Sequence, residues 1–232
     1  MRCLSATVAF LCALLFVAAP LSARDAGAQW KKLNRQVLNL YRLGKYDSGV
    51  KVARQALAVA EKNAGPYHPS VATSLDNVAY YYETKGFYAQ AEPLRKRSLA
   101  IREKVLGPNN VELTLSLNKL AFVYRRQGRY ALAEPLLQRS LAIWERTFGP
   151  DDPKLAFALS NLGLLYKSQG LYEQAEPLYR RSFVIWEKTL GPEHPDMAWK
   201  LQTLAGLYRS MNREQEADML EQRAARILAR RQ

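Results

Sequence analysis

A Gly-Pro pair that returns every 42 residues constrains the fold of this 232-residue chain more than any other feature. Gly65, Gly107, Gly149 and Gly191 each open a block with this pair. A fixed period of this length is typical of repeat solenoids, in which each unit buries its apolar face only against its neighbours. We therefore predict one continuous array rather than separate globular domains.

Each block has the pattern of two helices. In the fourth block Leu159, Leu162, Gly163 and Tyr166 follow the spacing i, i+3, i+4, i+7, which places them on one face of a helix. The residue that ends each first helix is one that tolerates the left-handed conformation, namely Gly86, Gly128, Gly170 and Asn212. A second helix then begins near Tyr88, Tyr130 or Tyr172.

The block before Gly65 lacks the Gly-Pro pair but aligns with the others when Gly44 is placed 42 residues before Gly86. It is predicted to be a divergent first repeat, as terminal repeats usually are. The five predicted repeats are 29–64, 65–106, 107–148, 149–190 and 191–232. The charged last helix is predicted to cap the array by itself.

These residues carry a family resemblance. The small residue between Leu and Tyr, the Gly-x-Tyr turn and the alanine after it resemble the tetratricopeptide repeat. The 42-residue period, the Gly-Pro-x-His-Pro sequence and the segment from Tyr172 to Leu190 are similar to its kinesin-light-chain-type subclass. The resemblance implies an all-α, right-handed solenoid of five helix-turn-helix units, whose inner wall of first helices binds extended peptides.

The N-terminus differs from the rest of the chain. Arg2 is followed by residues 4–19, which carry no charge, and Ala26-Gly27-Ala28 offers a small-x-small cleavage site. This pattern is typical of a secretory signal peptide, so we predict a leader over 1–28 and export to the periplasm or the cell exterior. The alternative is an uncleaved membrane anchor at residues 4–19. Both cysteines, Cys3 and Cys12, lie in the leader, which leaves the mature chain without disulfides.

The candidate binding surface is the stripe one residue beyond the core stripe of the first helices. Along each first helix this stripe offers a polar residue, then an apolar residue, then a cation or a residue next to a cation. Such a surface suits an acidic peptide with apolar anchors. Glu83 departs from this order and is predicted to contact a basic ligand residue. The alternative is an ordinary solvated face. The predicted partner-binding residues are Asn34, Tyr41, Arg42, Tyr80, Glu83, Asn118, Phe122, Arg125, Arg126, Lys167 and Arg209.

The chain has a net charge of +13, and residues 23–64 hold nine Lys or Arg against three Asp or Glu. Such a field would steer acidic partners toward the N-terminal half. Nucleic acid is a rival partner, although export argues against it. The cations that would contact phosphates are Arg35, Lys45, Lys51, Arg54, Arg95, Lys96 and Arg97. A third hypothesis is self-assembly into a homo-oligomer through apolar ridges on the end repeats.

Enzymatic chemistry has little support in this sequence. No glycine-rich phosphate loop is present, and the two histidines, His68 and His194, are predicted to cap helices rather than to serve in a triad or a metal site. The Ser116/Lys119 spacing has no companion motif. We predict a non-enzymatic scaffold without cofactor, metal or small-molecule substrate. Trp144 and Trp186 are predicted to pack, with a partner anchor as the alternative.

Overall fold

The computed structural model describes residues 23–230, which form an all-α solenoid without strands. Five helix-turn-helix units follow one another, as predicted. The first helices of the units are α1 Ala23–Arg42, α3 Pro69–Thr84, α5 Leu113–Arg126, α7 Pro153–Ser168 and α9 Pro195–Ser210. The second helices are α2 Tyr46–Ala64, α4 Tyr88–Leu106, α6 Tyr130–Phe148, α8 Tyr172–Leu190 and α10 Glu214–Ala229.

The ends of the first helices have the predicted chemistry. Gly86 and Asn212 take positive φ angles of 77° and 58°, so each closes its helix in the left-handed region. At the other end, the His68 and His194 rings accept hydrogen bonds from backbone N–H groups of α3 and α9. Both histidines therefore serve as helix caps. Helix α5 has no such side-chain cap and begins later, at Leu113.

The core runs along the array as a series of apolar clusters between successive helices. Ala91, Ala133 and Ala175 are fully buried on the second helices, where a small side chain lets the neighbouring helix approach closely. Leu117 and Leu159 fill the space on the first helices. Each such leucine contributes roughly 1.5–3 kcal/mol to folding. Each unit is thus stabilised both by packing between its own two helices and by packing on the adjacent units.

Alternating helix direction gives the array two edges. The connections between repeats, 65–68, 107–112, 149–152 and 191–194, form what we call the loop edge, where first helices begin and second helices end. The turns inside repeats, such as 85–87 and 127–129, form the opposite turn edge. Every first helix presents its N-terminal turn to the loop edge.

The predicted leader lies only partly in the described residues. Residues 4–19 and both cysteines fall outside them, whereas the predicted cleavage site at Ala26–Ala28 lies in the first turns of α1. Ala26 is buried there. Across residues 23–230, no helix combines the length and the apolar character needed to cross a membrane.

Candidate functional site

Side chains at one equivalent position of the first helices form an exposed apolar row. Leu38, Tyr80, Phe122 and Leu164 recur at intervals of 42 residues and are 57, 43, 37 and 37% exposed. These residues belong to the stripe that the helical offset identifies. Apolar side chains left open in this way are available to a partner.

A cavity of about 390 Å³ opens beside Phe122. Three elements contribute its polar lining: α3 provides Glu83, α5 provides Asn118, Lys119 and Arg125, and α7 provides Asn161. Leu137 and Leu164 supply apolar wall. We call this space the cationic cavity.

A second cavity, of about 280 Å³, lies between α7, α8 and α9 and shares Asn161 and Leu164 with the first. Aromatic side chains dominate its lining, and Lys200 stands among them with its Nζ atom 3.9 Å from the ring centre of Trp186. We call it the aromatic cavity; its rings are Tyr179, Phe183, Trp186 and Trp199. Because two residues line both spaces, the cavities adjoin and form one groove across repeats three to five.

The cations of the cationic cavity are not fully neutralised: Lys119 Nζ lies 3.6 Å from the Asp76 carboxylate, but Arg95 and Arg102 share that carboxylate. Burial lowers the pKa of Lys119, and the nearby Arg95 and Arg102 lower it further, although Asp76 opposes them. Burial also lowers the pKa of Arg125, followed by the charge of Arg126. Within residues 23–230 Arg125 has no carboxylate in ion-pair contact, only the ring of Phe122 at 5.6 Å. An anion placed here would therefore stabilise both charged side chains.

Asn118 adds an unused hydrogen-bond acceptor to the same cavity. Its Oδ1 atom is buried and has no donor among the described residues. A buried acceptor without a partner costs about 1–3 kcal/mol, so a donor from a ligand would recover this cost. A peptide backbone N–H is one such donor.

Glu83 and Asp76 are neutralised inside the chain. The Arg95 side chain is 2% exposed and donates two hydrogen bonds to Glu83, at 2.7 and 2.9 Å, and one to Asp76 at 2.7 Å. Arg102 donates a further bond of 2.8 Å to Asp76. Glu83 lies at the cationic cavity with its carboxylate bonded to Arg95. The contact with a basic ligand residue stays a prediction.

The other predicted residues do not lie together in one site. Asn118, Phe122 and Arg125 line the cationic cavity, whereas Lys167 lines neither cavity: its ammonium lies against Gly206 of α9, and burial lowers its pKa. At the N-terminal end, Tyr41 and Tyr80 pack with ring centres 4.7 Å apart, Asn34 accepts a hydrogen bond from Asn77, and Arg42 is exposed.

Two predicted cations are engaged within the chain. Arg209 bonds Glu214, Asp218 and Glu221 of α10, which neutralise its charge. The Arg126 guanidinium lies 5.0 Å from the ring centre of Tyr88.

Several residues of the groove were missed by the sequence reasoning. Lys119 lies directly after Asn118 of the predicted stripe, and Asn161 holds the equivalent position one repeat later. Trp199 and Lys200 lie near the start of α9, before the predicted stripe begins on that helix. Comparison at the 42-residue interval would have found Trp199, because Leu115 and Phe157 hold the equivalent position. It would also have marked Arg95, which stands where Leu137 and Tyr179 occupy the core.

Several solved structures share this architecture. A search of curated proteins gave no match. Among solved structures, the kinesin light chain TPR-like repeats of Podosopora anserina superpose with a TM-score of 0.76 at 26% identity, covering 92% of this chain and 99% of that one. BtubC (BKLC) from P. vanneervenii gives a TM-score of 0.72 at 19% identity, covering 89% of each chain.

MamA from Desulfovibrio magneticus RS-1 is more distant, with a TM-score of 0.60 at 17% identity over 87% of this chain and 96% of that one. The last two likenesses concern the fold alone. The family profile named tetratricopeptide repeat matches residues 31–104, 112–183 and 158–230. The chain therefore belongs to the tetratricopeptide repeat family, with repeats of the kinesin-light-chain type.

Proposed function

We propose that this protein is an exported, non-enzymatic adaptor that binds an acidic peptide segment with apolar anchors along the groove of repeats three to five. One observation carries the proposal: two adjoining cavities, one cationic and one aromatic, share Asn161 and Leu164. The fold itself supports a scaffold for protein interactions.

The two cavities of the groove favour a ligand with an acidic side chain next to an apolar side chain. A carboxylate near Lys119 and Arg125 would compensate two cations that burial has left poorly solvated. One repeat further along, an aromatic or aliphatic side chain would fill the space between Trp186 and Trp199. Asn161, between the two, has an amide suited to the ligand backbone. An acidic residue and an apolar anchor would thus bind side by side.

The ion pairs of the chain favour nucleic acid less than an acidic peptide as the partner. Arg95 is buried in its ion-pair network, Lys96 pairs with Glu92, and Arg97 pairs with Glu61. These contacts occupy cations that the sequence left free for phosphates.

The groove is tested with a synthetic probe, because the natural partner is unknown. We suggest a fluorescein-labelled twelve-residue peptide library that mixes Asp and Glu with one Trp or Leu, measured by fluorescence anisotropy. Reversing Arg125, Arg126 and Lys167 to Glu should weaken binding about tenfold or more, a change of about 1.4 kcal/mol. Arg226→Glu is the matched control, since Arg226 is exposed on α10, a helix that lines neither cavity.

Trp199→Ala separates the two halves of the groove. It should weaken binding of the library peptides and leave unchanged the binding of a matched peptide in which Gly replaces the Trp or Leu. Circular dichroism of each variant should match the parent chain. If the triple reversal bound the library as tightly as the control, the groove would not be the binding site.

Export is proposed from the leader pattern and has its own test. The protein should be recovered from the envelope or culture medium with Gln29 as its first residue, as read by N-terminal sequencing. Recovery of the chain from the cytosol with residue 1 or 2 at its N-terminus would contradict export.

A further inference from the structure

A lysine of the chain itself lies among the rings of the aromatic cavity. The Nζ atom of Lys200 is 3.9 Å from the ring centre of Trp186 and 5.2 Å from that of Trp199. The Phe157 ring, 5.8 Å from the same atom, packs edge-to-face on Trp186 with ring centres 4.6 Å apart. A cation among aromatic rings is attracted to their faces. The ammonium therefore occupies the space in which an apolar anchor would contact both tryptophans.

The rings are the main contacts of this ammonium. Within residues 23–230 no carboxylate is in ion-pair contact with Lys200, and burial lowers the pKa of its side chain. The charge of Asp196 opposes this shift of the pKa, so the carboxylate acts on the ammonium from a longer distance. Lys200 is thus held in the cavity by weak contacts rather than by an ion pair.

Asp196 offers the ammonium a second position. It is exposed in the first turn of α9, and no Lys or Arg of the described chain pairs with its carboxylate. The Nδ1 atom of His194 lies 3.9 Å from that carboxylate, but it accepts the backbone N–H of Asp196 and so has no proton to share. The carboxylate is therefore available to a lysine side chain.

The spacing of the two residues suits an ion pair. Asp196 and Lys200 are four residues apart on one helix, with the acid on the N-terminal side, which is the favourable order. An exposed pair of this kind and a partly exposed cation–ring contact are both weak interactions. The two positions of the ammonium therefore differ little in free energy, and a ligand can shift the balance between them.

Helix packing does not require a long side chain at this position. The equivalent residues of repeats two to four are short, namely Ser74, Ser116 and Ala158. Repeat one has Lys32 there, which is exposed. A lysine that extends over the rings of repeat five thus adds something to the cavity rather than to the solenoid.

From the ring contacts and the neighbouring carboxylate, we propose that Lys200 covers the aromatic cavity in the free protein and moves to Asp196 when the anchor of a ligand enters. The proposal rests on the peptide binding proposed above. A large aromatic anchor replaces the lost ring contacts with its own, whereas a small aliphatic anchor does not. Lys200 is therefore a specificity-determining residue that favours peptides with an aromatic anchor.

The position of Lys200 is tested by NMR on the full-length chain with isotopically labelled lysine. Ring currents of Trp186 and Trp199 should move the ε-methylene signal of Lys200 upfield of the other lysines, and Lys200→Arg identifies this signal by removing it. N-acetyltryptophanamide, a neutral probe with one aromatic side chain, should return the signal to the range of exposed lysines. N-acetylalaninamide is the control and should leave it shifted.

Fluorescence anisotropy with the library peptides measures the cost of displacing the ammonium. Lys200→Ala, which copies Ala158, should tighten binding of a Trp-anchored peptide about fivefold and leave its Gly-substituted counterpart unchanged. Asp196→Asn should weaken the Trp-anchored peptide about twofold. Lys154→Ala is the matched control, because it removes a lysine that lies over the Trp144 ring outside both cavities, and it should change neither affinity.

Each contrary result has a distinct meaning. An unshifted Lys200 signal in the free protein would overturn the proposal, as would a signal that neither the probe nor a Trp-anchored peptide moves. Weaker binding of the Trp-anchored peptide to Lys200→Ala would overturn it too, since Lys200 would then be a direct ligand contact. If no library peptide bound, the proposed function would fail, while the neutral probe would still show whether an aromatic ring displaces Lys200.

Discussion

Gly49 of α2 and Tyr81 of α3 form a complementary pair in the first interface between repeats. A Cβ atom added to Gly49 would lie 2.1 Å from the Cζ atom of Tyr81, whose hydroxyl donates a 2.5 Å hydrogen bond to the Val37 carbonyl. One repeat later the equivalent pair is Ala91 and Val123. The larger Tyr81 side chain on α3 thus occupies the space of the methyl group that Gly49 lacks.

This pair predicts that Gly49→Ala is destabilising, although alanine normally favours a helix by about 1 kcal/mol over glycine. Overpacking against the buried Tyr81 ring should cost about 1–3 kcal/mol net. Urea unfolding followed by circular dichroism measures the difference. Gly206→Ala is the control, because the nearest atom to its added Cβ is the flexible Lys167 Nζ at 3.4 Å, and it should not destabilise the chain.

A second variant checks the cause. Tyr81→Leu, which copies the residue at the equivalent positions 165 and 207, should remove most of the Gly49→Ala penalty when the two changes are combined. Equal penalties for Gly49→Ala in both backgrounds would show that the ring is not responsible.

Replacing Arg95 is predicted to lower the free energy of unfolding more than Gly49→Ala does. Arg95→Leu removes the partner of Glu83 and one partner of Asp76 in a buried network, which typically costs about 3–5 kcal/mol. Arg102 still contacts Asp76, so Glu83 should account for most of the loss. The free energy of unfolding in urea is the measurement.

The compensated variant is Asp76→Asn, Glu83→Gln and Arg95→Leu, which gives repeat two the uncharged chemistry of Asn118 and Leu137 in repeat three. It should recover most of the stability lost in Arg95→Leu. A triple variant no more stable than Arg95→Leu alone would contradict the network as the source of the loss.

The repeat architecture was predictable because it depends on positions that recur. Glycine-proline spacing, the small residue before each tyrosine and the left-handed Asn212 all follow from local chemistry, and the structure confirms them. The ends of α3 and α9 were predictable for the same reason, since a histidine before proline can cap a helix.

The groove was less predictable because it depends on where the repeats differ. The helical offset identified Phe122 and Arg125, but which cations stay unpaired is decided by side chains on other helices. Arg95 neutralises Glu83 from α4, and α10 neutralises Arg209. Such long-range pairing cannot be read from the position of a residue on its own helix.

Asp76 gives the stability a pH dependence of known sign. Burial would raise the pKa of its carboxyl, but Arg95, Lys119 and Arg102 outweigh burial and lower it below 3.8. The ionised form is therefore favoured by folding. Its contribution is present above the unfolded pKa of about 3.9 and is lost as pH falls through the lowered folded value.

Unfolding free energies of the parent chain and Asp76→Asn, measured from about pH 7 to about pH 2, test this sign. The parent should be more stable at neutral pH, and the difference should shrink in acid. Other carboxyls titrate in both proteins and cancel in the comparison. A difference that stays constant down to the lowest pH would exclude Asp76 as the source.

The lowered pKa of Lys119 predicts a pH dependence of peptide affinity that is opposite in sign to the pH dependence of stability from Asp76. Burial and the neighbouring Arg95 and Arg102 lower its pKa below 10.5, so the free protein loses this charge at a lower pH than an ordinary lysine does. An acidic peptide in the cationic cavity favours the charged form. Its affinity should therefore fall as pH rises through the lowered pKa.

The measurement is anisotropy titration of one acidic library peptide from about pH 7 to about pH 10, with Lys119→Arg as the matched variant. A guanidinium stays charged over this range, so the variant should keep its affinity where the parent loses it. The lowered pKa of Lys167 acts equally in both proteins and does not affect the comparison. Parallel pH profiles for the two chains would mean that the ligand carboxylate does not lie beside Lys119.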